Sequence, residues 1–168
     1  MMNRFLHRLP ESGRYWIMLL YGAALLTGLP PLVGWTAGEL HAEPTRVEQG
    51  KIEEQALEAF RNIIGLWQEE LYFDLYDFGM ETTKTRISRE DFAQRMVELS
   101  WVPAGELNAK FLNAEFRFRT VVYVSARVRY RHKFNPTGVF TKDHTFMLLE
   151  EAGIWHIDLI RLIRAPFA

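Results

Sequence analysis

The chain has 168 residues, with 20 basic and 21 acidic side chains and a formal net charge of −1. That balance excludes the basic footprint of a general nucleic-acid-binding protein. There is no cysteine, which excludes disulfides, thiolate catalysis and cysteine-ligated metal. In contrast, 12 Phe, 6 Tyr and 5 Trp supply material for a substantial core.

Residues Tyr15 to Gly38 carry no charged side chain. This uncharged run exceeds the ~20 residues that cross a hydrocarbon core. Arg4, Arg8 and Arg14 precede it against one acid, Glu11. Such a bias retains the N-terminus in the cytoplasm and sends the rest across. The expected organisation is a cytoplasmic segment at 1–14, a transmembrane anchor at 15–38, a linker at 39–50 and an exported domain at 51–168. The expected location is the bacterial inner membrane, single-pass, with the C-terminal domain in the periplasm. The alternative is secretion after signal cleavage. Pro30-Pro31 leave only Tyr15 to Leu29 as a continuous apolar helix, the length of a signal-peptide core. Thr36-Ala37-Gly38 and Leu40-His41-Ala42 are weak cleavage sites, so both readings stand. Beyond residue 38 the chain carries 17 basic and 20 acidic side chains, a formal −3.

Glu39 to Gly50 is polar, with Pro44 and Gly50, and reads as the linker. Ile52, Ala56, Phe60, Ile63, Trp67, Leu71 and Leu75 then recur at steps of three or four, one face of a long helix. Gly65 is expected to divide or kink it, and Gly79 to stop it. Met80 to Ile87 reads as a loop. Ser88 and Asp91 have the spacing of a capping box, which opens a helix from Arg89 to about Ser100. Pro103 prevents its continuation.

Then the period changes to two. From Phe116 to Tyr130 the even positions are largely apolar and the odd positions carry arginines, which predicts one long strand. Asn135-Pro136-Thr137-Gly138 is a turn. A strand from about Val139 to Glu150, a tight hairpin at Ala152-Gly153 and a strand from Ile154 to about Ile163 follow. Ala165-Pro166 closes the chain. Centring the first turn on Pro136 sets Arg129 opposite Asp143 and Ala126 opposite Phe146. The second turn sets Leu148 opposite Ile157 and Phe146 opposite Leu159. Both registers pair apolar with apolar residues. Phe116, Phe118, Val124, Val128, Phe146, Leu148, Trp155, Ile157 and Leu159 should face inward. Arg127, Arg129, Met147, Leu149, His156, Asp158 and Ile160 should face outward. Helices followed by a meander of strands predict an α+β fold, with a curved antiparallel sheet wrapped over the long helix.

Three segments carry a resemblance. They are residues 59–77, the short helix opened by Ile87-Ser88-Arg89-Glu90-Asp91-Phe92, and the terminal hairpin from Phe146 to Asp158 with its Gly-Ile-Trp-His-Ile element. Over about residues 52–164 the chain resembles the nuclear-transport-factor-2-like superfamily, the cone-shaped α+β roll. The chain departs from the pattern in being short of strands before Phe116, where Glu106 to Leu112 supplies one weakly. The resemblance implies a roll of the membrane-anchored periplasmic type, whose layout the scaffold subunits of bacterial secretion and conjugation machines share. It does not select an activity, because that superfamily holds isomerases, cyclases, epoxide hydrolases, transport factors and scaffolds.

No catalytic motif is present. His132, His144 and His156 lack any local metal-ligand spacing and should not converge, so neither metal nor cofactor is expected. Asp74, His144 and Tyr130, with Tyr72 and Asp77, are the polar groups that an enzyme would draw on at the open end of the cone. The reading preferred is non-enzymatic: a membrane-tethered interaction or assembly module. Its expected partner face is Tyr123, Arg127, Arg129, Met147, Leu149 and Ile160, apolar residues rimmed by arginine. The partners expected are the lipid bilayer and a second copy or another membrane or periplasmic protein, with no nucleic acid. The alternative is a small enzyme of isomerase, cyclase or hydrolase type, or a carrier. Either would hold a hydrophobic ligand against Trp67, Tyr72, Tyr76, Phe146 and Trp155.

Overall fold

A reciprocal cap opens the first helix. The Thr45 hydroxyl accepts the Glu48 N–H at 3.3 Å, and the Glu48 carboxylate accepts the Thr45 N–H at 2.7 Å. The structure is a computed structural model, described for residues 43–135 and 137–167. The leader at 1–14 and the apolar segment at 15–38 lie outside the described residues. Among the described residues no helix is long and apolar enough to cross a membrane.

Helix α1 spans Arg46–Gln68, so it starts within the stretch read as linker. Ala56, Phe60, Ile63, Ile64 and Trp67 form its buried stripe. Gly65 does not divide it. The break comes at Glu70, which adopts a φ of +60°. There the Glu70 N–H donates to the Trp67 carbonyl and the Leu71 N–H to the Leu66 carbonyl. This is a Schellman end with glutamate at the position that usually holds glycine. Short helices follow at Tyr72–Asp77 (α2) and Glu81–Lys84 (α3), the latter within the expected loop. The Ser88 hydroxyl accepts the Asp91 N–H at 3.1 Å and opens α4, Arg89–Glu98.

The sheet has five antiparallel strands. They are β1 (Trp101–Pro103), β2 (Leu112–Phe118), β3 (Val121–His132), β4 (Val139–Glu151) and β5 (Ile154–Ile157). The order is β1-β3-β4-β5, with β2 also paired to β3. Together these make an α+β fold with helices packed on a curled sheet.

Four expectations about the strands are corrected. First, Phe116–Tyr130 is not one strand, because the chain reverses at Arg119-Thr120. Phe116 pairs with Val122 but Phe118 with Val121, so Arg117 is a bulged extra residue. The bulge turns Phe118 outward, where it is 70% exposed, and leaves the even positions of β3 inward. Second, β1 and the first half of β2 were not anticipated, while Ala109–Phe111 is a single 3₁₀ turn rather than strand. Third, Arg127, not Arg129, lies opposite Asp143, and Val124, not Ala126, opposite Phe146. The turn is set by Asn135, whose side-chain and backbone carbonyls accept the Thr137 and Gly138 N–H groups. Fourth, β5 stops at Ile157. The Asp158 carboxylate accepts the Ile160 and Arg161 N–H groups at 2.8 and 3.1 Å. It thereby caps α5, Leu159–Arg164, where a strand was expected. The β4–β5 register pairs Leu148 with Ile157, as the hairpin rule gives.

The core lies between the helices and the inner sheet face. Phe60 meets Phe146 with ring centroids 5.3 Å apart, and Trp67 meets Tyr130 at 5.9 Å. Gly79 bridges to Ile157 in parallel. A Cβ there would stand 2.6 Å from Leu159 Cγ, so any side chain at this position would have to displace the buried Leu159.

Candidate functional site

The alternation of β3 and β4 leaves a second face, turned away from the helices. Across it Val121 pairs with Leu149, Tyr123 with Met147, Ser125 with Thr145, Arg127 with Asp143 and Arg129 with Thr141. One end is therefore apolar and the other charged. Met147 is 39% exposed, and Tyr123 and Leu149 are half-buried. The Arg117 guanidinium lies over the Tyr123 ring, 5.6 Å from its centroid, and pairs with Glu115 at 3.0 Å.

Beyond the apolar rows, Ser125 and Thr145 share a hydroxyl–hydroxyl bond of 3.0 Å. Arg127 then donates to both Asp143 oxygens, at 2.6 and 2.7 Å, and stacks 3.9 Å from the centroid of Phe111. The bidentate pair holds the Asp143 carboxyl below its usual range and raises Arg127. These residues line a shallow cleft of about 320 Å³.

Five of the six expected partner-face residues thus share this outer face: Tyr123, Arg127, Arg129, Met147 and Leu149. Ile160 does not, because Asp158 turns the chain into α5, where Ile160 packs half-buried against the core. His156 lies opposite Leu149, on the face expected, but is buried there, and its Nδ1 has no hydrogen-bond partner among the described residues.

Of the catalytic candidates, Tyr130 and His144 are brought together and Asp74 lies exposed on α2. Tyr130 Oη and His144 Nε2 are 3.0 Å apart and both residues are buried. Burial pushes His144 down to about 4, helped by the charges of Lys142 and Arg161. Burial also raises Tyr130. Both groups are therefore neutral at pH 7. Phe140 stacks on Tyr130 at 5.0 Å and Phe146 lies against His144 at 5.4 Å, while His144 also borders the cleft beside Arg127 and Asp143.

Trp67, Tyr72 and Phe146, expected as pocket walls, are core residues. Tyr76 is half-buried and its hydroxyl donates to the Ile87 carbonyl at 3.0 Å. Trp155 borders a surface groove with Ile52, Gln55, Arg119, Glu150 and Gly153. His132 packs edge-on against Trp101 at 4.8 Å. Among the described residues no group of three or more His, Cys, Asp or Glu is placed to hold a metal ion.

Sequence reasoning missed Lys133. Its side chain is 8% exposed and lies within 3.4 Å of the Glu70 carboxylate. It donates to Tyr72 Oη at 3.0 Å and to the Met96 and Val97 carbonyls at 3.1 Å each. Tyr72 in turn donates to Glu70 at 3.3 Å, and burial with the Glu70 charge raises its hydroxyl. The only local signal was a lysine two residues before Asn135; its partners are 36 to 63 positions away.

No protein-family model matches the chain, and no curated protein matches it.

Proposed function

We propose that this chain is a membrane-tethered, non-enzymatic assembly module of the nuclear-transport-factor-2-like type. On this reading it is anchored in a bacterial inner membrane by residues 15–38, with the roll in the periplasm. The outer sheet face associates with a second copy of the chain. The observation that carries the reading is the paired apolar row of Tyr123 and Met147, next to Val121 and Leu149, partly exposed on the outer face with Met147 the most exposed of the four. Apolar rows rimmed by arginine suit a protein interface. Met147 and Tyr123 would be its buried centre, and Arg129 at its rim would set orientation.

The burial of Tyr130 and His144 against each other favours a structural role for that pair over catalysis. A carrier or a small enzyme remains the competing class, and would need a ligand to reach the inner face.

The test uses the full chain in mild detergent, by sedimentation velocity. A dimer should form, and Tyr123→Asp with Met147→Asp should convert it to monomer. A monomeric parent chain, or a sedimentation profile unchanged by the double substitution, refutes the proposal.

A further inference from the structure

The chain enters the domain at Thr45, and three features gather at that end. The Glu53 carboxylate accepts the Phe116 N–H at 2.9 Å, which sets the first half of α1 along the last residues of β2. The β2–β3 turn is joined to β4, with the Glu150 N–H donating to the Thr120 carbonyl at 2.8 Å. Ile52 and Gln55 of α1 share a groove of about 450 Å³ with Arg119, Glu150, Gly153 and Trp155. Both turns therefore lie beside the start of α1. The far end of α1, about 34 Å away for 23 residues, is the end that Lys133 joins to the β3–β4 turn.

At the entry end the outer face ends in large apolar side chains. Phe118 is 70% exposed and Ile154 is 53% exposed. Between them in the ladder lie Val121, opposite Phe118, and Leu149, opposite Val121. The groove beside them is bordered by Arg119, a residue type that suits the headgroup region, while Trp155 at the same groove is buried in the core. Charges of both signs surround this end, with Arg46, Lys51, Arg117 and Arg119 among Glu43, Glu48, Glu54, Glu115, Glu150 and Glu151. The surface has no excess of positive charge with which to select anionic lipid.

The occupant follows from the covalent chain. Only residues 39–44 separate Thr45 from the segment read as a span, a reach of roughly 20 Å at full extension. We infer that the β2–β3 and β4–β5 turns rest on the bilayer surface, with Phe118 and Ile154 inserted at the boundary between headgroups and acyl chains. The inference rests on the tethered reading given above and adds an orientation to it. Contact is through apolar insertion, so it does not require anionic lipid.

The absence of cysteine makes the test direct. Single substitutions Phe118→Cys, Ile154→Cys and Phe134→Cys are made in the full chain and labelled with an environment-sensitive fluorophore. Phe134, 80% exposed, flanks Lys133 at the opposite end and serves as the reference. The labelled chains are reconstituted into phosphatidylcholine vesicles carrying brominated lipid. Labels at 118 and 154 should be quenched at least about threefold more than the label at 134, as interfacial insertion requires. Vesicles containing phosphatidylglycerol should give the same ratio. If the chain is stripped from vesicles by alkaline extraction, the tether fails and the inference falls with it. If the chain is retained but quenching at 118 equals that at 134, only the docking is overturned. Quenching confined to anionic vesicles overturns apolar insertion. Quenching that depends on protein density rather than brominated lipid assigns the surface to a second copy.

Discussion

Lys133→Met should be among the more destabilising single changes that can be made without altering a core volume. Methionine keeps most of the apolar stem and removes the ammonium. The Met96 and Val97 carbonyls at the end of α4 then lose their common donor, and the Tyr72 hydroxyl keeps only Glu70. A hydrogen bond to a charged group contributes about 1.5–3 kcal/mol, and a buried acceptor left unmade costs about 1–3 kcal/mol. The terms are not additive, and Val97 and Glu70 lie near enough to solvent for water to replace part of what is lost. The net expectation is about 2–3 kcal/mol. With a urea m-value of about 1–3 kcal/mol/M for small domains, the midpoint should fall by about 1 M at unchanged m. Circular dichroism of the full chain during urea unfolding reads this directly. Glu70→Gln should cost less, under about 1 kcal/mol, because that carboxylate is partly solvated. A Lys133→Met shift below about 0.5 kcal/mol, the range typical of a surface substitution, would refute the idea that this ammonium ties the β3–β4 turn to the helices.

Gly79→Ala should destabilise by about 1–3 kcal/mol, the cost of forcing a methyl into a filled site. Leu159→Ala in the same chain should recover part of the loss, measured as a urea midpoint, and strict additivity of the two losses would sink the explanation. His144 gives a pH dependence whose sign follows from its depressed folded value. The unfolded chain takes up the proton near the ordinary 6.5, while the folded chain resists until about 4. Its contribution is therefore complete above 6.5, declines as pH falls towards 4, and is absent below. His144→Gln, which retains a partner for Tyr130, should flatten the urea midpoint between pH 6.5 and 4, and an unchanged slope would show that other groups set it.

The parts of the fold legible in the sequence were those that depend on parity and local caps. Ser88 announced α4 through its own backbone bond to Asp91. The outer-face membership of Tyr123, Arg127, Met147 and Leu149 survived a two-residue error in register, because a shift of two leaves every side chain on the same side. The partner of each residue did not survive it, and Arg127 replaced Arg129 opposite Asp143. The β2–β3 reversal was hidden for a related reason. The bulge at Arg117 restores the even–odd phase, so a folded hairpin reads as one uninterrupted strand. Leu159–Arg164 was read as strand although Asp158 could have been recognised as a cap ahead of an apolar run at helical spacing. The Tyr130–His144 contact and the Lys133 cluster depend on side chains reaching across rows or between distant elements. No local pattern encodes them.

The two proposed surfaces constrain one another. If the β2–β3 and β4–β5 turns rest on the bilayer, β3 and β4 rise from it, and the Tyr123–Met147 row faces sideways. Two copies anchored in the same membrane could then join these rows about a two-fold axis normal to the bilayer, which is the isologous arrangement that a self-complementary patch needs. If the chain is anchored as proposed, both copies are also confined to a thin layer. A small exposed row that would be too weak a contact in free solution gains from the raised effective concentration. The polar groups of the domain point the same way. Arg127 and Asp143 hold each other, Lys133 holds the helices, Glu53 holds the β2 edge, and Tyr130 and His144 hold each other inside the core. With these groups paired internally, Phe118 and Ile154 stand exposed among charges of both signs, a surface that on the proposed reading suits association by burial.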